Sequence, residues 1–289
     1  IMAYSETMAY NDQVVYAVSS PYQRLVITKN KRETRLFLNG NLQFSTADEY
    51  RYHEALVHPA LSSVEKPRHV LVLGGGDGLA VREILKYPSV EQITLVDLDP
   101  LMTKLFSTQE VLLRINQSSL LNKKVKVYNA DAFVWLRDNR QTFDAVVVDF
   151  PDPSNFSIGK LYSTLFYQML RKAMKPGGIA VIQSTSPYVA PNSYWCVDTT
   201  LRFVGLETVN YHNYVPSFGE WGYIMATTQK ERSWFAAFPT GLKYLNRATL
   251  QQMLTFPEDM KAHRPLLPNK LNNQVLVNYF EEEWANYLE

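Results

Sequence analysis

The feature that most constrains the fold is a series of short, largely apolar segments that alternate with helical patterns from residue 68 onward. The segments predicted as strands are residues 69–73, 92–97, 125–128, 145–149 and 178–182. Because they show no regular alternation of apolar and polar residues, we expect both faces of these strands to be buried. Strands that alternate with helices in this way indicate a parallel sheet covered by helices on both faces, which is a Rossmann-like α/β fold.

The residues on either side of this region follow different patterns. Residues 13–44 alternate between apolar and polar positions and predict short antiparallel strands at 14–18, 24–28 and 35–38. Helical spacing predicts further helices over 47–60, over about 100–113 and over 271–288. We therefore predict an N-terminal β-strand unit with a linking helix at 1–60, a Rossmann-like domain at 61–230, and a C-terminal helical extension at 231–289.

Charge and cysteine content exclude several classes of protein. The chain has 29 Lys and Arg against 28 Asp and Glu, a net charge of +1, so we expect no broad basic surface and no nucleic-acid partner. This sum does not exclude a local acidic cleft for a small cationic substrate. The single cysteine, Cys196, excludes an intrachain disulfide framework and a multi-cysteine zinc site, and it favours a cytoplasmic location.

Two observations concern membranes and targeting. No apolar run approaches the about 18 residues that a membrane-spanning helix needs, so we expect no membrane contact from this chain. Residues 1–4 lack the basic and apolar regions of a signal peptide. The chain does not begin with Met, which leaves open the interpretation that it is a domain excised from a longer protein.

A glycine-rich turn joins the first predicted strand of the sheet to a helix, with the sequence Gly74-Gly75-Gly76-Asp77-Gly78. Glycines such as Gly74 and Gly76 allow a ligand to approach the backbone closely. The spacing does not match a dinucleotide fingerprint, because the third glycine position falls on Leu79 or Val81. An acidic Asp77 would repel a pyrophosphate. The loop therefore favours a nucleoside with a positive charge, such as an S-adenosyl sulfonium.

Acidic residues also follow the second and third strands of the sheet. Asp97 lies about 20 residues beyond the glycine loop, at the position from which a carboxylate reaches ribose hydroxyls in Rossmann-like sites. Asp99, which precedes Pro100, is predicted to cap the next helix. Asp131 follows the third strand, and the sequence leaves two roles open for it: acceptor for an adenine amino group, or cap of the helix that begins at Ala132.

Two carboxylates three residues apart follow the fourth strand, in Asp149-Phe150-Pro151-Asp152-Pro153. Carboxylates held on a proline-stiffened loop suit a cation, or a primary amine that must lose a proton before it attacks carbon. The alternative interpretation is turn formation by Asp-Pro pairs. His53 and His58 are five residues apart rather than four, so they do not share one helical face, and we predict no metal site.

On these residues the chain resembles the spermidine synthase (polyamine aminopropyltransferase) family over about residues 14–228. The most specific stretches are residues 38–43, 48–54, 74–78 and 149–153. The resemblance implies a parallel sheet of the S-adenosylmethionine-methyltransferase type with helices on both faces, preceded by a small antiparallel β domain. It also implies transfer of an aminopropyl group from decarboxylated S-adenosylmethionine to a diamine such as putrescine, which yields spermidine and methylthioadenosine.

The resemblance assigns roles to particular residues and implies neither a metal nor a prosthetic group. Asp149 would be the catalytic group that accepts the proton of the attacking amine. The residues implied to bind the cosubstrate, with Asp77 on its ammonium group, are Gln23, Gln43, His53, Gly74, Gly76, Asp77, Asp97 and Asp131. The residues implied to bind the amine are Tyr52, Asp152, Gln183 and Phe218.

Four features depart from the family pattern. Leu79 replaces the glycine that usually follows the glycine loop, and Asp97 is shorter than the usual Glu. The segment 183–185 lacks the acid that many members carry there, and Phe218 lacks the hydroxyl of an amine-binding Tyr. The segments 215–223 and 269–274 resemble a bacterial subgroup in which the catalytic domain follows a membrane-embedded region. That resemblance implies a homodimer, located in the cytoplasm or at the cytoplasmic face of the inner membrane.

Two alternative functions stay open at this point. A small-molecule methyltransferase that uses S-adenosylmethionine would share the fold, although its cosubstrate carboxylate would have to lie near Asp77. A catalytically inactive domain that senses a polyamine or nucleoside is the second alternative, and Thr185 and Phe218 favour it. The acidic residues at positions 77, 149 and 152 favour the aminopropyltransferase over the methyltransferase.

Overall fold

The structure, a computed structural model, describes residues 9–229 and 231–289. The predicted absence of a signal peptide concerns residues 1–4, which lie outside the described residues. Within them, the strands form an N-terminal antiparallel sheet and a larger, mostly parallel sheet. This arrangement confirms the predicted fold class.

The N-terminal sheet has four strands where the sequence analysis predicted three. Its order along the sheet follows the chain: β1 (Gln13–Ser19), β2 (Arg24–Lys29), β3 (Thr34–Leu38) and β4 (Asn41–Ser45). The prediction missed β4, which follows β3 after a two-residue turn. Asn39 and Gly40 both have positive φ, 51° and 80°, and such a turn matches the twist of an antiparallel pair.

The larger sheet has the order β10-β11-β9-β8-β5-β6-β7. The strands β5 to β9 are parallel, whereas β10 and β11 form an antiparallel hairpin beside β9. Their bounds are β5 His69–Gly74, β6 Gln92–Asp97, β7 Val125–Asn129, β8 Phe143–Asp149, β9 Met174–Gln183, β10 Glu207–Val215 and β11 Gly219–Thr227. The strand order reverses between β5 and β8, and ligands of open α/β sheets bind at the carboxyl ends of such strands.

Helices cover both faces of this sheet. Their bounds are α1 Glu49–Leu61, α2 Leu79–Ile84, α3 Pro100–Thr108, α4 Glu110–Asn116, α5 Ala132–Asp138, α6 Phe156–Gly159, α7 Thr164–Ala173, α8 Pro191–Phe203, α9 Arg247–Met253 and α10 Val275–Leu288. Alternate residues of β5 point into two separate cores, with Val70 and Val72 in the one and Leu71 and Leu73 in the other. The predicted single helix over about 100–113 is wrong, because Gln109 is extended and separates α3 from α4.

The segment after residue 230 packs against α1 and against the end of the large sheet. The buried Glu54 carboxylate in α1 accepts hydrogen bonds from the backbone N–H groups of Lys243, Tyr244 and Leu245 at 3.1–3.2 Å. The buried Asn269 side chain donates to the carbonyls of Gly159 and Tyr162.

The division of the chain at residues 60 and 230 stays a prediction. None of the helices in the described ranges has both the length and the apolar character needed to cross a bilayer.

Candidate active site

The glycine loop and Asp149 lie side by side, because β5 and β8 are neighbours and Gly74 is in register with Asp149. A Cβ atom at Gly74 would lie 2.3 Å from the Asp149 carbonyl oxygen, and Gly74 also has a φ of +78°. A Cβ atom at Gly75 would lie 3.7 Å from Asp149 Oδ2. The glycines therefore allow the loop to pass directly beside the Asp149 carboxylate. The tightest packing at Gly74 is against the protein's own backbone.

Asp77 lies in the same loop and is buried. Its Oδ1 accepts a hydrogen bond from Leu79 N at 2.9 Å, and its carbonyl accepts one from Asn116 Nδ2 at 2.9 Å. Burial raises the pKa of Asp77, while the charge of His53 opposes that rise. The loop thus presents a buried carboxylate that Leu79 N orients, on a backbone that Asn116 holds in place.

Asp97, at the end of β6, contacts the glycine loop from the other direction. Its Oδ2 accepts a hydrogen bond from Gly76 N at 2.9 Å, and its Oδ1 accepts one from Asp99 N at 2.9 Å. A Cβ atom at Gly76 would lie 2.7 Å from this carboxylate. Burial raises the pKa of Asp97 to about 6. Each carboxylate oxygen has a further lone pair for a ligand hydroxyl group.

Gln23 reaches this part of the site from the N-terminal sheet. Its Nε2 donates to Asp99 Oδ2 at 2.8 Å, and Ser20 Oγ donates to the same oxygen at 2.7 Å. The other oxygen of Asp99 accepts from Leu101 N at 3.0 Å at the start of α3, which confirms the predicted cap. Asp99 therefore joins the N-terminal sheet to the loop after β6, a role that the sequence analysis did not predict.

Two of the residues predicted to bind the cosubstrate, Asp131 and Gln43, contact other parts of the protein or solvent. Asp131 caps α5 by accepting from Phe133 N at 2.8 Å and Val134 N at 3.3 Å, and its other oxygen pairs with Lys160 at 3.2 Å. The capping role that the sequence left open for Asp131 is thus present in the structure. Gln43 is exposed on β4.

Helix α1 supplies two side chains to the region around Asp149. The Tyr52 hydroxyl donates a short hydrogen bond to Asp149 Oδ1. The Tyr52 ring lies 5.0 Å from the ring of His53 and 5.7 Å from that of Tyr223. Burial, together with the charge of Asp149, raises the pKa of Tyr52 well above its usual value. Tyr52 is therefore a neutral donor that fixes the orientation of the carboxylate.

The Asp149 carboxylate is suited to accept a proton near neutral pH. Burial raises its pKa to about 6, and the nearby charge of Asp77 acts in the same direction. The charge of His53 and the hydrogen bond from Tyr52 act against that rise. A carboxyl group with a pKa near 6 is a stronger base than an exposed aspartate and is still largely ionised at pH 7.

Asp152 is held by side chains from β9 and from the residues after it. It accepts hydrogen bonds at 3.3 Å from Gln183 Nε2 and from Thr185 Oγ1. Thr185 has a φ of 58°, which is unusual for a β-branched residue and is typical of strained backbone at functional sites. Burial raises the pKa of Asp152 to about 6. The loop after β8 therefore presents a second carboxylate with a defined orientation.

Both the nitrogen and the oxygen of the Gln183 side-chain amide make hydrogen bonds within the protein. Its Nε2 also donates to Phe150 O at 2.7 Å and to the Tyr162 hydroxyl at 2.8 Å. Its Oε1 accepts from Trp221 Nε1 at 3.0 Å, and the Trp221 ring lies 5.6 Å from that of Phe218 in the β10–β11 turn. In this arrangement Gln183 orients Asp152, and Phe218 contacts the site through Trp221.

Comparison with protein-family models identifies one match, described as the spermine/spermidine synthase domain, over residues 49–237. The chain belongs to the spermine/spermidine synthase family. This match spans all seven strands of the large sheet and includes α1, the glycine loop, Asp149 and the β10–β11 hairpin. It confirms the resemblance that the motifs indicated.

Curated relatives extend the similarity over the whole chain. A polyamine aminopropyltransferase 2 of Ralstonia nicotianae is 55% identical over 99% of this chain and 56% of its own length. A polyamine aminopropyltransferase of Leptospira interrogans is 52% identical over 100% of this chain and 58% of its own length. The chain therefore spans little more than half the length of these relatives.

Solved structures of the family share the fold. A spermidine synthase in complex with the transition-state analogue AdoDATO has a TM-score of 0.79 and 23% identity, over 95% of this chain and 89% of its own. The spermidine synthase from Thermotoga maritima has a TM-score of 0.75 and 24% identity, over 85% of each chain.

Several contacts that shape the site were not found from the motifs. Asp99 was predicted only as a helix cap, and its bond to Gln23 was not predicted. Trp221 orients Gln183 through a long-range hydrogen bond, and Glu49 contacts His53 one turn away on α1. Of Trp221 and Glu49, only Glu49 had a detectable sequence signal, which is its position four residues before a histidine. Within the described residues, no group of three or more His, Cys, Asp or Glu side chains is arranged to hold a metal ion.

Proposed function

We propose that this chain transfers an aminopropyl group from decarboxylated S-adenosylmethionine to a diamine and releases methylthioadenosine. The observation that carries the proposal is the buried Asp149 carboxylate, oriented by Tyr52 and placed directly beside the glycine loop that holds Asp77. Family membership supports the same reaction class. The proposed acceptor is a putrescine-like diamine, which makes spermidine the product.

The cosubstrate is proposed to bind along the glycine loop. Asp97 would accept hydrogen bonds from the ribose hydroxyls, with Gln23 beside it on the N-terminal sheet. Asp77 would bind the ammonium group of the aminopropyl chain. The remaining proposed contacts to the nucleoside and the aminopropyl end come from Gln43, His53, Gly74, Gly76 and Asp131. The carboxylate of S-adenosylmethionine would have to lie near the Asp77 carboxylate and would be repelled by its like charge, which disfavours methyl transfer.

The proposed chemical step is an in-line displacement at carbon. The acceptor's ammonium group first gives a proton to Asp149, which frees the nitrogen lone pair. That nitrogen then attacks the aminopropyl carbon next to the sulfonium, the carbon–sulfur bond breaks as the carbon–nitrogen bond forms, and methylthioadenosine leaves with the electron pair. Asp152, oriented by Gln183 and Thr185, would bind the other end of the acceptor. Positioning and charge would supply most of the rate enhancement.

Incubation with decarboxylated S-adenosylmethionine and a panel of amines tests this function. The panel contains putrescine, cadaverine, spermidine and agmatine, and the measurement is the release of methylthioadenosine with and without each amine. We expect amine-dependent release, greatest with a diamine. Folded protein that binds methylthioadenosine without amine-dependent release would instead support the sensor alternative. Methylated amine formed from S-adenosylmethionine would support the methyltransferase.

A homodimer stays a prediction, which sedimentation can test.

The proposed reaction should depend on pH through Asp149. Because the base acts in its ionised form and its pKa is raised to about 6, we expect kcat/KM to fall as the pH falls through about 6. Below that value the decline should approach about tenfold per pH unit, as expected for a single essential base. The measurement is the pH profile of methylthioadenosine release at saturating cosubstrate. A rate that stays constant down to pH 4.5 would contradict this assignment.

A further inference from the structure

A row of buried ionic contacts begins at His53 and leads away from the proposed site. His53 contacts Glu49, Glu49 pairs with Arg82, and Arg82 pairs with Glu83, all of them buried. The desolvation of buried ions can cost more than their mutual attraction returns, so such a row is weak evidence for stability. The row therefore needs an explanation other than stability. Because one end of the row is His53, a residue of the proposed site, we consider a role in that site.

The Glu49 carboxylate is held in a single orientation. Arg82 binds it through two parallel contacts, Nη1 to Oε1 at 2.7 Å and Nη2 to Oε2 at 2.9 Å. Arg82 is itself fixed, because its Nε donates to Glu83 Oε2 at 2.9 Å and its Nη1 donates to Ile115 O at 3.1 Å. Two-point pairing of this kind gives geometric specificity as well as energy.

The surroundings of the His53 ring determine which nitrogen carries a proton. Its Nδ1 lies 3.0 Å from the Glu49 carbonyl and 2.7 Å from Glu49 Oε2, and both are acceptors. Nδ1 is therefore a donor. A neutral ring would then leave Nε2 with a lone pair, whereas an imidazolium carries a second N–H group there.

Charges on the neighbouring elements favour the imidazolium. The groups that act on His53 are Glu49 on its own helix, Asp77 on the glycine loop, Arg82 on α2 and Asp149 at the end of β8. Burial lowers the pKa of His53, but Glu49 and Asp77 outweigh burial and the charge of Arg82, so the pKa is raised. The positive ring in turn lowers the pKa of both Asp77 and Asp149.

We propose that Glu49 is a positioning residue that holds His53 as an imidazolium, and that this charge keeps the buried Asp77 and Asp149 carboxylates ionised at neutral pH. Glu49 acts through His53 and needs no contact with substrate. The consequence for catalysis rests on the proposed function, because Asp149 acts as a base only in that reaction. The protonation state of His53 does not depend on that function.

The first test uses the unmodified protein and needs no activity. Nitrogen-15 NMR of histidine-labelled protein distinguishes an imidazolium from a neutral ring for each of the five histidines, and His53→Gln assigns the His53 signal. We expect His53 to carry protons on both ring nitrogens at pH 7. A neutral His53 ring at pH 7 would overturn the proposal, whether or not the protein transfers aminopropyl groups.

The second test is Glu49→Gln, which removes the charge but keeps a hydrogen-bond acceptor. His53 should then lose its proton near neutral pH, and the acid limb of the kcat/KM profile should move upward by about 1 pH unit. Activity should recover at higher pH. If Glu49 had only a structural role, the variant would yield less folded protein, and the acid limb of the kcat/KM profile would stay at the same pH. If the variant does not fold, the NMR result on the unmodified protein decides.

Asp198→Asn is the matched control. Asp198 is also a buried carboxylate that pairs with an arginine, Arg202, at 3.0 Å, but it lies on α8 and accepts from Thr208 and Asn210. We expect this variant to be less stable with the acid limb unchanged. An equal shift of the limb in both variants would show that general destabilisation, rather than the charge of Glu49, moves the profile, and would overturn the proposal.

Discussion

Asp149→Asn is expected to lower kcat for aminopropyl transfer by about 10³-fold, while the affinity for methylthioadenosine changes little. The amide preserves the shape of the side chain and can still accept the hydrogen bond from Tyr52. It cannot take the proton from the attacking amine. Single-turnover measurements of methylthioadenosine release, together with calorimetric titration of methylthioadenosine, separate the chemical step from binding.

Asp144→Asn is the control for this prediction, since it changes the same strand at its opposite end. Asp144 Oδ2 accepts from the backbone N–H groups of Arg68 and His69 at 3.0 and 2.8 Å, far from the glycine loop along β8. Its loss should affect stability and leave kcat nearly unchanged. If Asp149→Asn unfolds the protein, Asp149 has a structural role at the end of β8 rather than the proposed catalytic one.

Gly74→Ala is expected to lower the free energy of unfolding by about 2–5 kcal/mol, the sum of left-handed backbone strain and overpacking. The new Cβ atom would lie 2.3 Å from the Asp149 carbonyl oxygen. A backbone atom at the paired ends of β5 and β8 cannot move aside as the end of a flexible side chain can. Denaturant unfolding followed by circular dichroism measures the change.

Gly40→Ala separates the two contributions. Gly40 has nearly the same backbone conformation, with a φ of +80°, but a Cβ atom there would meet nothing within 4 Å. This variant carries the strain without the clash, so we expect a loss of only about 1–2 kcal/mol. Equal losses at the two glycines would mean that the sheet accommodates the clash, and would contradict the close packing of the loop on Asp149.

The order of strands and helices could be predicted because it depends on local patterns. Continuous apolar runs defined the parallel strands, and the strand Gln92–Asp97 was predicted with its observed bounds. The fourth strand of the N-terminal sheet was missed, although its residues 41–44 lie within the alternating pattern and follow the Asn39-Gly40 turn. The break between α3 and α4 was missed because one extended residue does not change the helical spacing around it.

The acidic groups at the carboxyl ends of the strands could be identified from the chain alone, because strand ends and glycine turns are marked by local patterns. How those groups act on one another depends on contacts that form only in the folded protein. Tyr52 meets Asp149 across 97 positions of the chain, and Gln183 proved to be engaged by the protein itself. Hydrogen bonds and burial shift the pKa of a carboxylate through neighbours distant in sequence, and no local pattern specifies those neighbours.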